Sequence, residues 1–399
     1  MRKMGLVTMK MSLEILIILI LAGYFTVGIS QIFCALRMKK EASSIRFPKK
    51  DFFVSVIIPI KEVSRTTPQN LESACRQDHP CFEVIFVAEK VEHGAYRVAK
   101  SLAWKYPNTK VLVSGQHDPS KTIGKCHNLV YGVKHAKGEV LLFGDSDVNY
   151  SRDWIGKMIS PLKETVDGGH IEAVTAPFFM EPEGFSGKFI ALSVSLVTFT
   201  ASFTRRRQRF APFASGASIA VTRKVFDDLG IAKIWRNSFN DDLVFADEVI
   251  DHGNHIYNQL ANLNHPNEAF LDIQQIKAKL IRWVVTISTF GHRNLRAEVP
   301  FMVVRNLQFQ VALIIALTLF FFGYSISLVL AIAVAGYVYL VVYRWLVGQI
   351  IEERGLIPYY LLVPISHTTM MLFFAIVRLF YRSFFWEGNI YTVKGRYSR

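Results

Sequence analysis

The chain has 399 residues, 51% of them hydrophobic, with 31 phenylalanines and a formal net charge of +14. That length allows one large domain or two. A basic balance points to nucleic acid, an anionic lipid surface or a phosphorylated substrate, and continuous apolar segments at both ends of the chain favour lipid over nucleic acid. The four cysteines, Cys34, Cys75, Cys81 and Cys126, form no Cys-x-x-Cys pair. This argues against a disulfide framework or a zinc site and fits a domain facing a reducing compartment.

The first element is an apolar segment over 11–36, preceded by Arg2, Lys3 and Lys10 and carrying Glu14 as its only charge. It is long enough to span a bilayer. A basic start before an apolar core also suits a cleaved signal peptide. The run is long, however, Arg37-Met38-Lys39-Lys40 follows at once, and no small-residue cleavage site is evident. A membrane anchor is expected. The positives after Leu36 then place the following domain in the cytoplasm.

Residues 52–300 read as one domain. Strands are expected at Phe53–Pro59, Phe82–Ala88, Lys110–Val113 and Val140–Phe143, and helices at Asn70–Gln77, Gly94–Lys105 and Cys126–Lys137. Strands alternating with helices imply a largely parallel α/β sheet with right-handed crossovers. The first, second and fourth strands run into polar or acidic residues, so their ends converge on one edge, as a nucleotide site requires. Neither a Gly-x-Gly-x-x-Gly fingerprint nor a P-loop follows any strand, which weakens dinucleotide and P-loop readings. Phe185–Phe203 is apolar with only Lys188 charged. A crossing there would separate two halves of one domain, so a buried or interfacial helix is expected. The run Arg205-Arg206-Arg207-Gln208-Arg209 suits anionic headgroups or phosphate about as well as a solvated charge run.

Residues 301–385 hold two apolar helices, Phe309–Gly323 and Ser325–Val347, then a segment Ile357–Phe380 interrupted by Pro364 and His367. Three full crossings would put the basic tail, 386–399, on the outer face, against the positive-inside bias. The proline-broken segment therefore reads as re-entrant or interfacial.

Three clusters carry chemistry. Asp145-Ser146-Asp147 ends the apolar run Val140–Phe143. Two carboxylates on a turn repel, and hard oxygen ligands imply Mg²⁺ or Mn²⁺ shared with substrate phosphates. A polar strand-to-loop turn is the plainer account of the same residues. Asp241-Asp242 opens an amphipathic helix. Capping explains one aspartate, and a general base taking a proton from a hydroxyl explains the other. Lys279, Arg282 and Trp283 share a helix face, suited to a pyrophosphate leaving group and an acceptor wall, or to a snorkelling helix at a membrane interface. Together the clusters describe group transfer from a nucleotide-activated donor.

In order and spacing these motifs resemble the family 2 glycosyltransferases, most closely the ceramide glucosyltransferase branch. Val54–Lys61 resembles the opening strand and nucleotide loop. Lys125-Cys126-His127-Asn128-Leu129 resembles the Lys-x-x-Asn-Leu element, and Asp145-Ser146-Asp147 the Asp-x-Asp. Ser215-Gly216-Ala217-Ser218 resembles the acceptor-side segment. Asp241-Asp242 stands for Glu-Asp, Lys279-x-x-Arg282-Trp283 for Gln or Arg-x-x-Arg-Trp, and Gly395-Arg396-Tyr397 for a C-terminal Gly-Arg-Tyr. Glu89 stands where the family has an aspartate, and Lys279 keeps charge without the planar fork of arginine.

The resemblance implies an α/β GT-A (Rossmann-like) domain with N- and C-terminal transmembrane helices. It implies a UDP-sugar donor, an inverting single displacement and a lipid acceptor, ceramide first, in an integral membrane protein. Asp242 is then the base, Lys61, Glu89, Lys125, Asp145 and Lys279 bind the donor, Asp145 and Asp147 hold Mg²⁺ or Mn²⁺, Arg282 steadies the leaving group and Trp283 borders the acceptor. The rivals are a processive polysaccharide synthase of the cellulose or hyaluronan type and a non-catalytic membrane protein that binds anionic lipid or nucleic acid. Few apolar segments argue against the first, and the clustered carboxylates against the second.

Overall fold

The computed structural model describes residues 2–203, 210–211, 213–264, 273–290, 307–324, 326–353, 355–386 and 388–392. Helix α1 (Arg2–Ser44) leads into an eight-stranded mixed sheet. Strands β1 (Val54–Pro59), β2 (Phe82–Ala88), β3 (Thr109–Val113) and β4 (Val140–Gly144) are parallel, in the order β3-β2-β1-β4. Helices α2 (Thr67–Cys75), α3 (Gly94–Lys105) and α4 (Gly124–His135) make the crossovers. After α5 (Trp154–Ile159) come the short β5 (Thr165–Val166), then β6 (Gly169–Thr175) and helix α6 (Phe185–Phe203). β7 (Ser218–Thr222) pairs antiparallel with both β4 and β6. Helices α7 (Arg223–Asp228), α8 (Ile231–Trp235) and α9 (Asp242–Asp251) precede β8 (His255–Asn258), which pairs parallel with β6.

β1 and β4 are buried on both faces, as near-continuous apolar runs in a parallel sheet must be. Side chains alternate between two cores: Val56, Ile58 and Leu142 face one, and Ile57, Leu141 and Phe143 the other. Proline stops β1, and Gly144 ends β4 against Tyr150 and Trp154, where a side chain at 144 would meet the Tyr150 hydroxyl at 2.4 Å.

A third core joins α1, α6 and the C-terminal helices α11 (Gln308–Phe321), α12 (Ile326–Ile350) and α13 (Val363–Phe380). A short 3₁₀ turn, Ile357–Leu362, precedes α13. Its proline lies at the start of a helix, where no backbone N–H is missed. Inside this core Arg344 donates to Glu353 at 2.7 Å and to the Leu192 carbonyl at 3.0 Å, while Ser195 and Tyr360 also donate to Glu353. The pair is fully buried and fastens α6 to the end of α12. Ser193 and Ser366 hydroxyls, 2.7 Å apart, join α6 to α13. Helix α6 is packed against these helices, with Leu192, Leu196 and Phe199 fully buried.

Among the described residues four helices are long and apolar enough to cross a membrane, over Leu19–Lys40, Phe185–Ser202, Val329–Ile350 and Ile357–Phe380, and α11 is a shorter apolar helix. The tail forms a hairpin of β9 (Ser383–Trp386) and β10 (Asn389–Thr392) that returns to the sheet domain. Phe384 and Tyr391 join the core that contains Ile281 and Val285 of α10 (Ile273–Phe290). Arg205–Arg209 and Gly395-Arg396-Tyr397 lie outside the described residues.

Candidate active site

Because β1, β2 and β4 are parallel, their carboxyl ends deliver Lys61, Glu89 and Asp145 to one edge. The strand order reverses between β1 and β4, which opens a crevice there. β7 runs the other way, and Gly144 pairs with Ser218. The segment Ser215–Ser218 is therefore set beside Asp145. The Tyr150 hydroxyl accepts from the Asp145 N–H at 2.7 Å and donates toward the Asp145 and Ala217 carbonyls, each 3.0 Å away. Trp154 stacks on Tyr150 and donates to the Ser218 hydroxyl at 2.7 Å. The carboxylate turn is thus built on a fixed backbone.

Lys125, in the first turn of α4, joins two of the clusters read from the sequence. Its ammonium lies 2.7 Å from Asp145 and 2.8 Å from Asp241. Burial opposes its charge, yet Asp145, Asp241 and Asp242 outweigh burial and hold its pKa above the usual value. Asp145 is pushed up to about 6 by burial, with Lys125 pulling down and Asp147 and Asp241 pushing further up. Gly216 makes room: a side chain there would lie 2.6 Å from the Lys125 ammonium and 2.8 Å from Asp241.

Helix α9 resolves the capping question. Asn240 Oδ1 accepts from the Leu243 N–H at 2.7 Å, a bond shared with Asp242 Oδ1 at 2.8 Å, and Asp241 makes no side-chain cap. Asp241 instead faces Lys125, while Asp242 Oδ2 accepts from the Gly216 N–H at 3.1 Å. Burial first, then the Asp241 charge, raise the Asp242 carboxyl above the ordinary carboxylate range.

Helix α10 brings the third cluster. Lys279 sits over the Trp283 ring at 5.3 Å, and Trp283 meets Phe178 edge-on at 6.1 Å. Burial pushes Lys279 down to about 8, against the upward pull of Asp147 and Asp145. That pull places Lys279 within electrostatic reach of the acidic turn. Arg282 is half-buried on the same helix, and its charge lowers Lys279 further. A small apolar pocket lined by Met180, Ile190, Ile276 and Trp283 adjoins Lys279.

Two residues at this edge carried no signal in the sequence. His117 Nδ1 holds the buried Glu89 carboxylate, and His117 Nε2 lies 3.2 Å from the Tyr391 hydroxyl. His117 sits in a loop and Tyr391 in the tail, so no spacing or period links them.

Four carboxylates therefore gather near two lysines. Among the described residues no three His, Cys, Asp or Glu side chains converge on one point. This donor set fits a hard divalent cation of the kind that takes one or two carboxylates and completes its shell with substrate phosphates and water.

Comparison with known proteins bears on the fold and the family. Ceramide glucosyltransferase 1 of Caenorhabditis elegans is 25% identical over 239 residues, 58% of this chain and 49% of that enzyme. The ceramide glucosyltransferase of Komagataella phaffii is 28% identical over 120 residues, 29% of this chain and 24% of that one. The chain thus spans about half or less of the length of these relatives. Among solved structures, the mannosyltransferase PcManGT from Pyrobaculum calidifontis, in complex with GDP-Man and Mn²⁺, is similar over 92% of this chain and 99% of that one. The TM-score is 0.56 at 16% identity, which bears out the GT-A fold. The resemblance read from the motifs is borne out as well: residues 15–397 match one family almost end to end, and the chain belongs to glycosyl transferase family 21.

Proposed function

We propose that this chain is a membrane-bound, inverting hexosyltransferase that moves glucose from UDP-glucose to a lipid hydroxyl, ceramide first. One observation carries the reading: Lys125 ties the Asp-x-Asp turn to Asp241 by direct ion pairs, while the neighbouring Asp242, within reach of that charge, is held by the Gly216 N–H at the same sheet edge. A carboxylate with a raised pKa, held by a backbone N–H, suits a general base.

Asp242 takes the proton of the acceptor hydroxyl. The hydroxyl oxygen forms a bond to the anomeric carbon as the bond from that carbon to the diphosphate oxygen breaks, and the electron pair leaves with UDP. Lys279 and Arg282 offset the charge that develops on the departing diphosphate. Lys61, Glu89 and Asp145 line the edge that receives the nucleoside, and Lys125 supports both Asp145 and Asp241. Trp283 and the apolar residues beside it border the acceptor, on the side of the domain that carries α6 and α13. Mg²⁺ or Mn²⁺, held by Asp147 and Asp145, would supply neutralisation of the diphosphate.

The domain is read as facing the cytoplasm, with α1, α11 and α12 crossing the bilayer and α6 and α13 lying at its surface. Exposed Ile365, Leu372, Ile376 and Leu379 give α13 an apolar flank for membrane lipid.

The test is nucleotide release by detergent-purified protein given UDP-glucose, Mn²⁺ or Mg²⁺ and a lipid extract. Release that requires metal and lipid, yields a singly glycosylated lipid and disappears in Asp242→Asn supports the proposal. A lengthening polymer as product, or no release with any common sugar nucleotide from folded protein, overturns it.

A further inference from the structure

Glu89 ends β2 at the donor edge, yet it is only 8% exposed and one of its oxygens is already taken. A carboxylate only accepts hydrogen bonds, so His117 Nδ1 donates to Glu89 Oε1. In the neutral ring Nε2 is then an acceptor, and the Tyr391 hydroxyl 3.2 Å away is its donor. The chain of bonds runs from the tail hairpin through a buried histidine to the carboxylate. The His117 side chain is 5% exposed and that of Glu89 9%.

Both ends of this chain are fixed. The Tyr391 ring packs on Phe384 at 5.4 Å and on Phe239 at 5.6 Å. Phe239 lies two residues before Asp241. At the other end, the first residue of α4 is Gly124, where a side chain would lie 2.8 Å from Glu89 Oε1 and 3.4 Å from the His117 ring. Glycine there lets the N-terminus of α4 close on the carboxylate, and Lys125 follows directly. One hairpin therefore touches the supports of both the Glu89 and the Asp241 sides of the site.

We propose that His117 and Tyr391 are positioning residues of the donor site. Through them the C-terminal hairpin holds Glu89 Oε1 and leaves Oε2 for the donor's nucleoside. This rests on the reading of Glu89 as a donor contact. The hairpin follows α13 directly, so seating of α13 and assembly of the donor site become one event. A buried network of this kind fixes geometry that a lone glutamate on a strand end lacks.

The experiment compares Tyr391→Phe, His117→Ala, His117→Asn and Glu89→Gln in the full chain, in detergent, with steady-state kinetics against UDP-glucose and against lipid acceptor. Thermal melting of each variant reports folding. Tyr391→Phe keeps the ring packing and removes only the hydroxyl. The expected result is a donor KM raised about three- to tenfold in Tyr391→Phe and in His117→Ala, the scale of one lost hydrogen bond. Acceptor KM and kcat stay unchanged. His117→Asn, whose amide can still donate at the Nδ1 position but has no atom to meet the Tyr391 hydroxyl, brings donor KM to the Tyr391→Phe value and no lower. If Glu89→Gln raises donor KM while His117→Ala and Tyr391→Phe leave it unchanged, positioning is refuted and the reading of Glu89 stands. If Glu89→Gln leaves donor KM unchanged, the reading of Glu89 fails and this proposal with it. Variants that lose kcat only in step with their folded fraction also overturn the proposal.

Discussion

The Lys125 ammonium lies 2.8 Å from Asp241 Oδ2 and so chooses between two adjacent aspartates. Asp241 is the buried counter-ion, 6% exposed, and its backbone carbonyl is held by the Trp235 indole at 2.9 Å. Among the described residues Asp242 makes no direct ion pair with a lysine, though it feels the Lys125 charge. Asp242→Asn should therefore lower kcat by about a hundred- to ten-thousandfold, the range for losing a general base, with little change in folding. Asp241→Asn leaves a buried ammonium with half its compensation, so the larger effect should be on melting temperature and donor affinity. Steady-state kinetics and thermal melting on the two variants decide the matter. If Asp241→Asn lost more in kcat than Asp242→Asn, the roles would be reversed.

The titration of the same site gives a second prediction. The base works only when deprotonated, and burial together with Asp241 raises the Asp242 carboxyl, so kcat/KM climbs with pH through a value above the ordinary carboxylate range. Lys279 is pushed down to about 8 by burial, and its positive charge is lost as pH rises past that value. A bell-shaped profile follows, with a plateau narrowed from both sides. Arginine stays charged throughout, so Lys279→Arg should abolish the alkaline limb and keep the acid limb. An alkaline limb that survives in Lys279→Arg assigns it to another group.

Gly216 offers a way to disturb the site without disturbing the fold. Its backbone does not demand glycine, since no left-handed torsion is present there. What a methyl group would strike is the Lys125 ammonium at 2.6 Å and Asp241 Oδ2 at 2.8 Å, the mobile ends of two side chains. Gly216→Ala should thus still fold, with a melting temperature lowered less than in Asp241→Asn, because the buried pair is shifted rather than broken. Its kcat/KM should fall by about a hundredfold, as for a displacement of about 1 Å in a catalytic constellation. Wild-type activity in this variant would mean that the Lys125–Asp241 contact is dispensable.

How much of this was legible in the sequence depends on the range of the interaction. β2 and α3 fall where the pattern puts them, because a doubly buried strand is a continuous apolar run and α3 has an amphipathic face. The Asp-x-Asp turn was visible for the same reason: it ends such a run. The antiparallel half of the sheet was not. β8 is four residues long and β5 only two, too short for a period to show. Lys125 was readable as a donor-side lysine, but its bond to Asp241 depends on the start of α4 and the start of α9 meeting at one edge. His117 and Tyr391 are 274 residues apart, and their contact exists only once the tail has folded back.

The returning tail also constrains how the chain crosses the bilayer. Lys39, near the end of α1, donates to the Ile350 carbonyl and to Glu352 at 2.7 Å, so α1 and α12 end together. α11 and α12 are joined at Gly323, which has the positive φ of 77° that glycine tolerates in such a turn, and they pack as an antiparallel pair. In the proposed topology the chain then leaves the side of the catalytic domain through α11 and comes back through α12 before α13 begins. Because Tyr391 reaches His117, the chain is still on that side after α13. A helix that begins and ends on one side does not cross, whatever its length and apolarity. The measurement is thiol labelling in sealed vesicles with a membrane-impermeant reagent. Cys81 is exposed and reports the catalytic side. In a Cys81→Ser background, Ile390→Cys, at a position 73% exposed, should label from that same side, and Tyr324→Cys in the α11–α12 turn from the opposite one. Labelling of Ile390→Cys from the Tyr324 side would mean that α13 crosses and that the hairpin does not reach the donor edge in the membrane.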